Sequence, residues 1–290
     1  MVRILYQIPG DLRAGPLGAG ELERRAALLQ GWASSGTIVE VDDAPGGPLS
    51  IESAAEEASC VTPTIAALRR RTQPPDAIVV GCFSDPGLAA IRELFDCAVV
   101  GPFEASFHLA AQLGSRVGVV TILDSVVPML DRLAWSMGQS VRYAGAMAID
   151  IPVLELKNDP ARVISLVVDA GLDLIARRDA DVLVLGCMSL SFLGVAEQAR
   201  ERIGMPVINP AMCALKTAEA LVAQQLKPSR RTYAGPRKDV FDGLKAGAVM
   251  NEFSGGLQDV SPGPRPGRAN AASSEAQPHQ HPGRFEAEPR

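Results

Sequence analysis

The sequence predicts an α/β protein of two similar lobes, each built on a parallel sheet, with a cleft between them. Three observations predict it. Short β-branched runs alternate with longer amphipathic segments along most of the 290 residues. One phrase is written twice, Asp76-Ala77-Ile78-Val79-Val80-Gly81-Cys82 and Asp181-Val182-Leu183-Val184-Leu185-Gly186-Cys187. The halves also align around it: Arg3-Ile4-Leu5-Tyr6 opens one and Arg116-Val117-Gly118-Val119-Val120 the other, and a helix and a short strand follow each cysteine.

In chain order, a strand at 3–7 leads through a glycine-rich stretch to a helix at 20–35 and a strand at 37–41. A helix at 51–71 follows, capped by Ser50 or Ser53 and closed by Arg69-Arg70-Arg71, cations suited to the negative end of a helix dipole. The strand at 76–81 has a continuous apolar run, the pattern of a strand covered on both faces. A helix at 86–95, a strand at 97–100 and a helix at 103–113 come next. The second half repeats the pattern with strands at 116–121, 141–145, 181–186 and 206–208. Its helices fall at 124–137, capped by Asp124 or Ser125, and at 160–178, 193–203 and 211–225.

Residues 1–100 are read as the first lobe, completed by 210–226, and 101–209 as the second. The segment 227–253 is an extension of ambiguous character, with a short helix near 238–248. From 254 to 290 the chain is rich in Pro, Gly, Ser, Ala and Gln, with too little to bury against its ordering entropy. It reads as a disordered tail, and His279 and His281 as solvated members of it.

A 47% hydrophobic content describes a soluble globular chain, and 4% aromatic residues leave little for stacking on bases or sugars. The formal charge of −5 and the lack of a basic patch argue against nucleic acid. No apolar stretch approaches the roughly 18 residues of a membrane span. Pro9-Gly10-Asp11 interrupts the opening too soon for a signal peptide. Five cysteines without a CxxC fit neither a disulfide framework nor a zinc ribbon. The expectation is a cytoplasmic protein with reduced thiols, a small-molecule substrate, no membrane or nucleic-acid partner, and a homo-oligomeric state.

Cys82 and Cys187 are the candidate catalytic residues. Each follows a glycine at the carboxyl end of a strand, where ligands sit in open α/β sheets. Amide N–H groups at such a turn, and the dipole of a following helix, favour a thiolate and can hold a carbonyl oxygen. One thiolate as base and the opposite thiol as acid would take a proton from one face of a carbon and return one to the other. A carbon held about 3.5 Å from each sulfur spaces them roughly 7 Å apart, too far for a disulfide of about 2 Å. Cys60, Cys97 and Cys213 read as core residues and His108 as a packed or half-exposed helix residue. Glu104 reads either as a residue behind the site, orienting a loop, or as an ordinary acid at a helix start. No P-loop, GxGxxG after a strand, GxSxG elbow or HExxH is present, so the chemistry is expected to need no cofactor and no metal.

These residues resemble the aspartate/glutamate/hydantoin racemase family. The likeness rests on Gly81-Cys82-Phe83-Ser84-Asp85-Pro86-Gly87-Leu88, Val99-Val100-Gly101-Pro102-Phe103-Glu104-Ala105, Val119-Val120-Thr121 and Val184-Leu185-Gly186-Cys187-Met188. It covers roughly residues 2–225 and leans toward the hydantoin racemase branch. The resemblance implies two pseudo-symmetric flavodoxin-like lobes and cofactor-independent proton transfer by Cys82 and Cys187. It places substrate contacts at Phe83, Ser84, Thr121, Met188 and Ser189, with Gln7 standing where relatives carry an Asn-Pro-Asn loop and Asp85 behind the site. The implied activity is racemisation or epimerisation α to a carbonyl, most simply of a 5-substituted hydantoin. Amino-acid racemisation, maleate isomerisation and arylmalonate decarboxylation are the alternatives on the same fold, and an idle ligand-binding module the alternative of another class.

Overall fold

A computed structural model describes residues 1–236; the expected helix near 238–248, the tail at 254–290, His279 and His281 lie outside the described residues. One parallel sheet carries β1 (Val2–Gln7), β2 (Thr37–Asp42), β3 (Ala77–Val80) and β4 (Ala98–Val100) in the order β2-β1-β3-β4. The second carries β5 (Val117–Thr121), β6 (Tyr143–Ala148), β7 (Val182–Leu185) and β8 (Val207–Ile208) in the matching order β6-β5-β7-β8, again all parallel. The protein is thus an α/β fold of two flavodoxin-like lobes related by pseudo-symmetry.

The repetition reaches individual hydrogen bonds. Asp76 N donates to Arg3 O at 2.8 Å and Asp181 N to Arg116 O at 2.9 Å. The carboxylates of the same aspartates accept in return from Arg3 N and Arg116 N, both at 2.8 Å. At the other ends, Gly81 N donates to Gln7 O at 2.7 Å and Gly186 N to Val120 O at 2.6 Å. The twice-written phrase therefore encodes one strand, pinned at both ends to the first strand of its lobe. β3 and β7 are buried throughout, as their continuous apolar runs require.

Helices α1 (Gly18–Trp32), α2 (Ala54–Arg69), α3 (Leu88–Leu94) and α4 (Pro102–Ala110) belong to the first half. α5 (Val127–Ser136), α6 (Pro160–Arg178), α7 (Met188–Ser191), α8 (Val195–Ile203) and α9 (Pro210–Ala223) follow. α9 packs back on β1, β3 and β4. Ser53 caps α2 in a reciprocal arrangement: its Oγ accepts from Glu56 N, and the Glu56 carboxylate accepts from Ser53 Oγ and Glu52 N. The cap expected at Asp124 or Ser125 does not form. A 3₁₀ turn at Asp124–Val126 precedes α5, and Ser125 Oγ donates instead to Glu52 O at 2.8 Å. Glu52 also accepts from Val153 N through its carboxylate at 2.8 Å, so one residue ties the first lobe to two loops of the second.

Helix ends differ from the sequence reading by up to three residues, and two elements differ in a way that has a physical reason. β6 runs to Ala148 rather than 145, because its small residues Gly145-Ala146-Met147-Ala148 pair with β5 across an irregularity at Val117/Gly118 and carry no β-branched signal. α7 was not foreseen; it is a single turn between Cys187 and Gly194, too short for a hydrophobic period to register.

Residues 227–236 run along α3. Arg230 donates to the Phe95 carbonyl at 2.8 Å, and Lys227 pairs with Asp96 at 2.9 Å.

Candidate active site

Each cysteine is placed by the glycine before it. A Cβ on Gly81 would lie 2.7 Å from the Tyr6 ring and 2.9 Å from Gln7 O; one on Gly186 would lie 2.7 Å from Val119 and 2.9 Å from Thr121. Only glycine, with no Cβ, lets the backbone pass that close to these neighbours. Both turns open into one cavity at the carboxyl ends of β3 and β7. Its cavity volume is ≈ 80 Å³, rising to ≈ 670 Å³ of empty space when the open solvent at its mouth is counted.

Cys82, Phe83 and Ser84 line this cavity from one lobe and Cys187, Met188 and Ser189 from the other. Cys82 is half-buried and Cys187 buried. The remaining wall is mostly apolar, with Leu12, Leu49, Ile51, Ile122, Leu130 and Val153 prominent and Arg25 and Ser50 its polar members. Two roomier hollows lie elsewhere, one among Arg3, Arg13 and Arg71 and one between α4 and α9. Neither brings two acid–base groups to the ends of the central strands.

Four residues expected at or behind the site do not line the cavity. Gln7 is fully buried and donates to Ile8 O at 3.0 Å, and it does not line the cavity. Thr121 is also fully buried, with its hydroxyl donated to Gly186 O at 3.3 Å, so it braces the cysteine turn from behind. Asp85 accepts from Phe103 N at 3.0 Å and Glu104 N at 3.1 Å, capping α4 across the lobe. Glu104 pairs with Arg92 at 2.5 Å, and Arg92 in turn donates to Val99 O. Burial pushes the Asp85 carboxyl up to about 8, although both N–H donors favour its charged form. Asp85→Ala leaves two buried N–H groups without an acceptor. It is expected to cost about 1–3 kcal/mol, read as a lower urea midpoint with an unchanged slope.

Sequence reading missed Arg25, Glu21 and Tyr6. Arg25 lines the cavity yet is only 3% exposed. Its Nε donates to Glu21 Oε1 at 2.8 Å, its Nη2 to Ser189 Oγ at 3.0 Å, and its guanidinium lies over the Phe192 ring at 4.9 Å. Glu21 is shared with Arg24 and Lys157. Against the opposing effect of burial, hydrogen bonds from Arg24, Lys157 and Arg25 hold its carboxyl down at about 2. The Tyr6 ring meets Phe192 edge-on at 6.0 Å, and its buried hydroxyl has no hydrogen-bond partner among the described residues. The one signal in the sequence was the Glu21/Arg25 spacing of four, which is equally the mark of an exposed helical pair.

Burial pushes the Cys82 thiol up to about 12. The Ser84 hydroxyl, 3.5 Å from its sulfur, and the Ser84 N–H pull it back, while a thiolate at Cys187 and the Glu57 carboxylate push it further up. Burial also raises Cys187, opposed by the N–H groups of Ser189 and Leu190, by Arg25 and by the Ser189 hydroxyl. Burial therefore favours the protonated form at both sulfurs, and a thiolate at Cys187 disfavours a second one at Cys82.

The profile of the Asp/Glu/Hydantoin racemase family matches residues 21–224. The chain belongs to this family. It is 35% identical over 211 residues to the hydantoin racemase of Rhizobium meliloti, covering 72% of this chain and 87% of that protein. It is 32% identical over 222 residues to the hydantoin racemase of Paenarthrobacter aurescens, covering 76% and 93%. The crystal structure of allantoin racemase from Pseudomonas fluorescens superposes with a TM-score of 0.75 at 31% identity, covering 82% of this chain and 98% of that one. As a member of the racemase family the protein is an enzyme of the isomerase class. Among the described residues no helix is long and apolar enough to cross a membrane, and no group of three or more His, Cys, Asp or Glu side chains could hold a metal ion.

Proposed function

We propose that this racemase inverts the C5 carbon of a 5-substituted hydantoin by two-base proton transfer between Cys82 and Cys187. The observation that carries the reading is that two thiols, at matched positions of two repeated strands, line one cavity from opposite lobes. One thiolate takes the C5 proton; the electron pair moves onto the C4 oxygen; the opposite thiol delivers a proton to the other face. N–H groups of the two cysteine turns, with the Ser84 and Ser189 hydroxyls, are the donors available to the enolate oxygen. The apolar part of the wall limits the water that can compete for the carbanion.

The cyclic ureide is supported by the hydantoin and allantoin racemases among the relatives. The apolar wall supports an apolar substituent at C5. Allantoin carries a ureido group there, which the apolar part of this wall would leave short of hydrogen-bond partners, at about 1–3 kcal/mol. The kcat/KM for 5-benzylhydantoin is therefore expected to exceed that for allantoin by about 10–100-fold.

The function is tested by following optical rotation of single enantiomers of hydantoins, free amino acids and maleate. Racemisation confined to hydantoins is expected. Turnover of amino acids or maleate, with the hydantoins untouched, would overturn the substrate reading.

A further inference from the structure

Among the described residues lining the cavity, Arg25 is the one Arg, Lys, His, Asp or Glu. It is only 3% exposed, and its N–H donors are unequally used. Nε is spent on Glu21 at 2.8 Å and Nη2 on Ser189 Oγ at 3.0 Å. Nη1 has no hydrogen-bond partner among the described residues. Nor is it one of the unpartnered polar atoms sealed inside the protein, which belong to Tyr6, Gln7, Asp43, Arg71 and Ser106. A donor that is neither bonded nor sealed reaches open space, and the space Arg25 lines is the cavity. The side chain is also held: Glu21 fixes Nε, and the guanidinium lies over the Phe192 ring at 4.9 Å.

The pseudo-symmetric counterpart of this wall is different. α1 is the helix after β1 in the first lobe, as α5 is the helix after β5 in the second. Where α1 brings Arg25 to the cavity, α5 brings Met129 and Leu130. The site is therefore charged on one side and apolar on the other. The charge is not cancelled locally, because the Glu21 carboxylate is shared by Arg24, Arg25 and Lys157. A buried guanidinium with positive charge in excess around it favours an oxygen that gains negative charge over one that stays neutral.

Building on the proposed hydantoin reading, we infer that Arg25 is a catalytic residue: its free Nη1 donates to the C4 oxygen of the ring as the electron pair of the C5–H bond moves onto that oxygen. The guanidinium stays protonated and transfers nothing. The proton leaves to one thiolate and another arrives from the opposite thiol, at which point the electron pair returns to carbon. The same contact orients the substrate. The ring carbonyl faces α1 and Ser189, and the C5 substituent faces Met129 and Leu130.

The test reads charge recognition without turnover. 5,5-Dimethylhydantoin has no C5 hydrogen to lose, and its N3–H, flanked by two carbonyls, ionises in alkali to an anion with charge on both ring oxygens. 3,5,5-Trimethylhydantoin cannot ionise. Calorimetric titration against pH is expected to show the dimethyl compound binding about tenfold tighter once ionised, with the trimethyl compound unchanged. Arg25→Gln abolishes that gain and lowers kcat for 5-benzylhydantoin by about 10²-fold with little change in KM. Arg25→Lys, which keeps a cation beside Glu21, restores part of both. Should Arg25→Gln fail to fold, the comparison of the two compounds on the wild type still decides. Equal binding of the neutral and ionised dimethyl compound, or a gain that survives in Arg25→Gln, overturns the assignment of Arg25 and leaves the hydantoin reading standing. A wild type that binds neither compound at any pH removes the hydantoin reading and this assignment with it.

Discussion

Cys82→Ser and Cys187→Ser each lower racemisation of a 5-substituted hydantoin by about 10²–10⁴-fold, in both directions. That is the contribution expected of one general acid or base. Serine nearly preserves the shape of the side chain, but its hydroxyl does not ionise near neutral pH and cannot replace a thiolate. Both losses arise because each cysteine serves as base for one hand of substrate and acid for the other. Substrate binding should change little, since the apolar wall is contributed by other residues, among them Leu49, Ile122 and Val153. The check is kcat and KM for each enantiomer, with the melting temperature confirming the fold. A variant that kept wild-type racemisation in both directions would remove its cysteine from the mechanism.

Glu21→Gln has the largest expected effect on stability, a loss of about 3 kcal/mol. This is the low end for breaking a buried ion pair. It leaves Arg25 buried at 3% exposure opposite a neutral amide, whereas Arg24 and Lys157 are part-exposed and can turn to water. The same residue sets a pH dependence. The folded carboxyl is held down at about 2, below its ordinary value of 4.5, so the native state binds that proton less readily than the unfolded chain does. Its stabilisation is complete above about pH 4.5 and is lost as pH falls toward 2. Urea unfolding between pH 2 and 6 should therefore show a shallower acid slope in Glu21→Gln than in the wild type. Parallel slopes would place the charge elsewhere.

Much of the architecture was legible because it was written twice. The Asp-to-Cys phrase carries a buried strand, the aspartate that pins its start and the glycine that permits the turn. The two sheets accordingly share one strand order. The contacts made by those turns were less legible. Phe83, Ser84, Met188 and Ser189 do line the cavity, being fixed by adjacency to the cysteines. Gln7 and Thr121 do not, because a polar residue at a strand end can satisfy a neighbouring carbonyl instead of facing the cleft. Arg25 was invisible for a different reason. An Arg and a Glu four apart on a helix look solvated until Ser189 and Phe192 close over them, and Ser189 lies 164 residues further along the chain. Asp85 shows the same limit: its carboxylate caps a helix beginning well beyond its own turn.

The most direct test of two-base transfer is racemisation of one enantiomer in deuterium oxide, sampled in the first few per cent of reaction. The account predicts deuterium at C5 of the newly formed enantiomer and protium in the unreacted substrate, because the departing proton and the arriving deuteron belong to different sulfurs. Product that retained the original protium, or remaining substrate that gained deuterium as fast as product formed, would mean that a single group serves both faces.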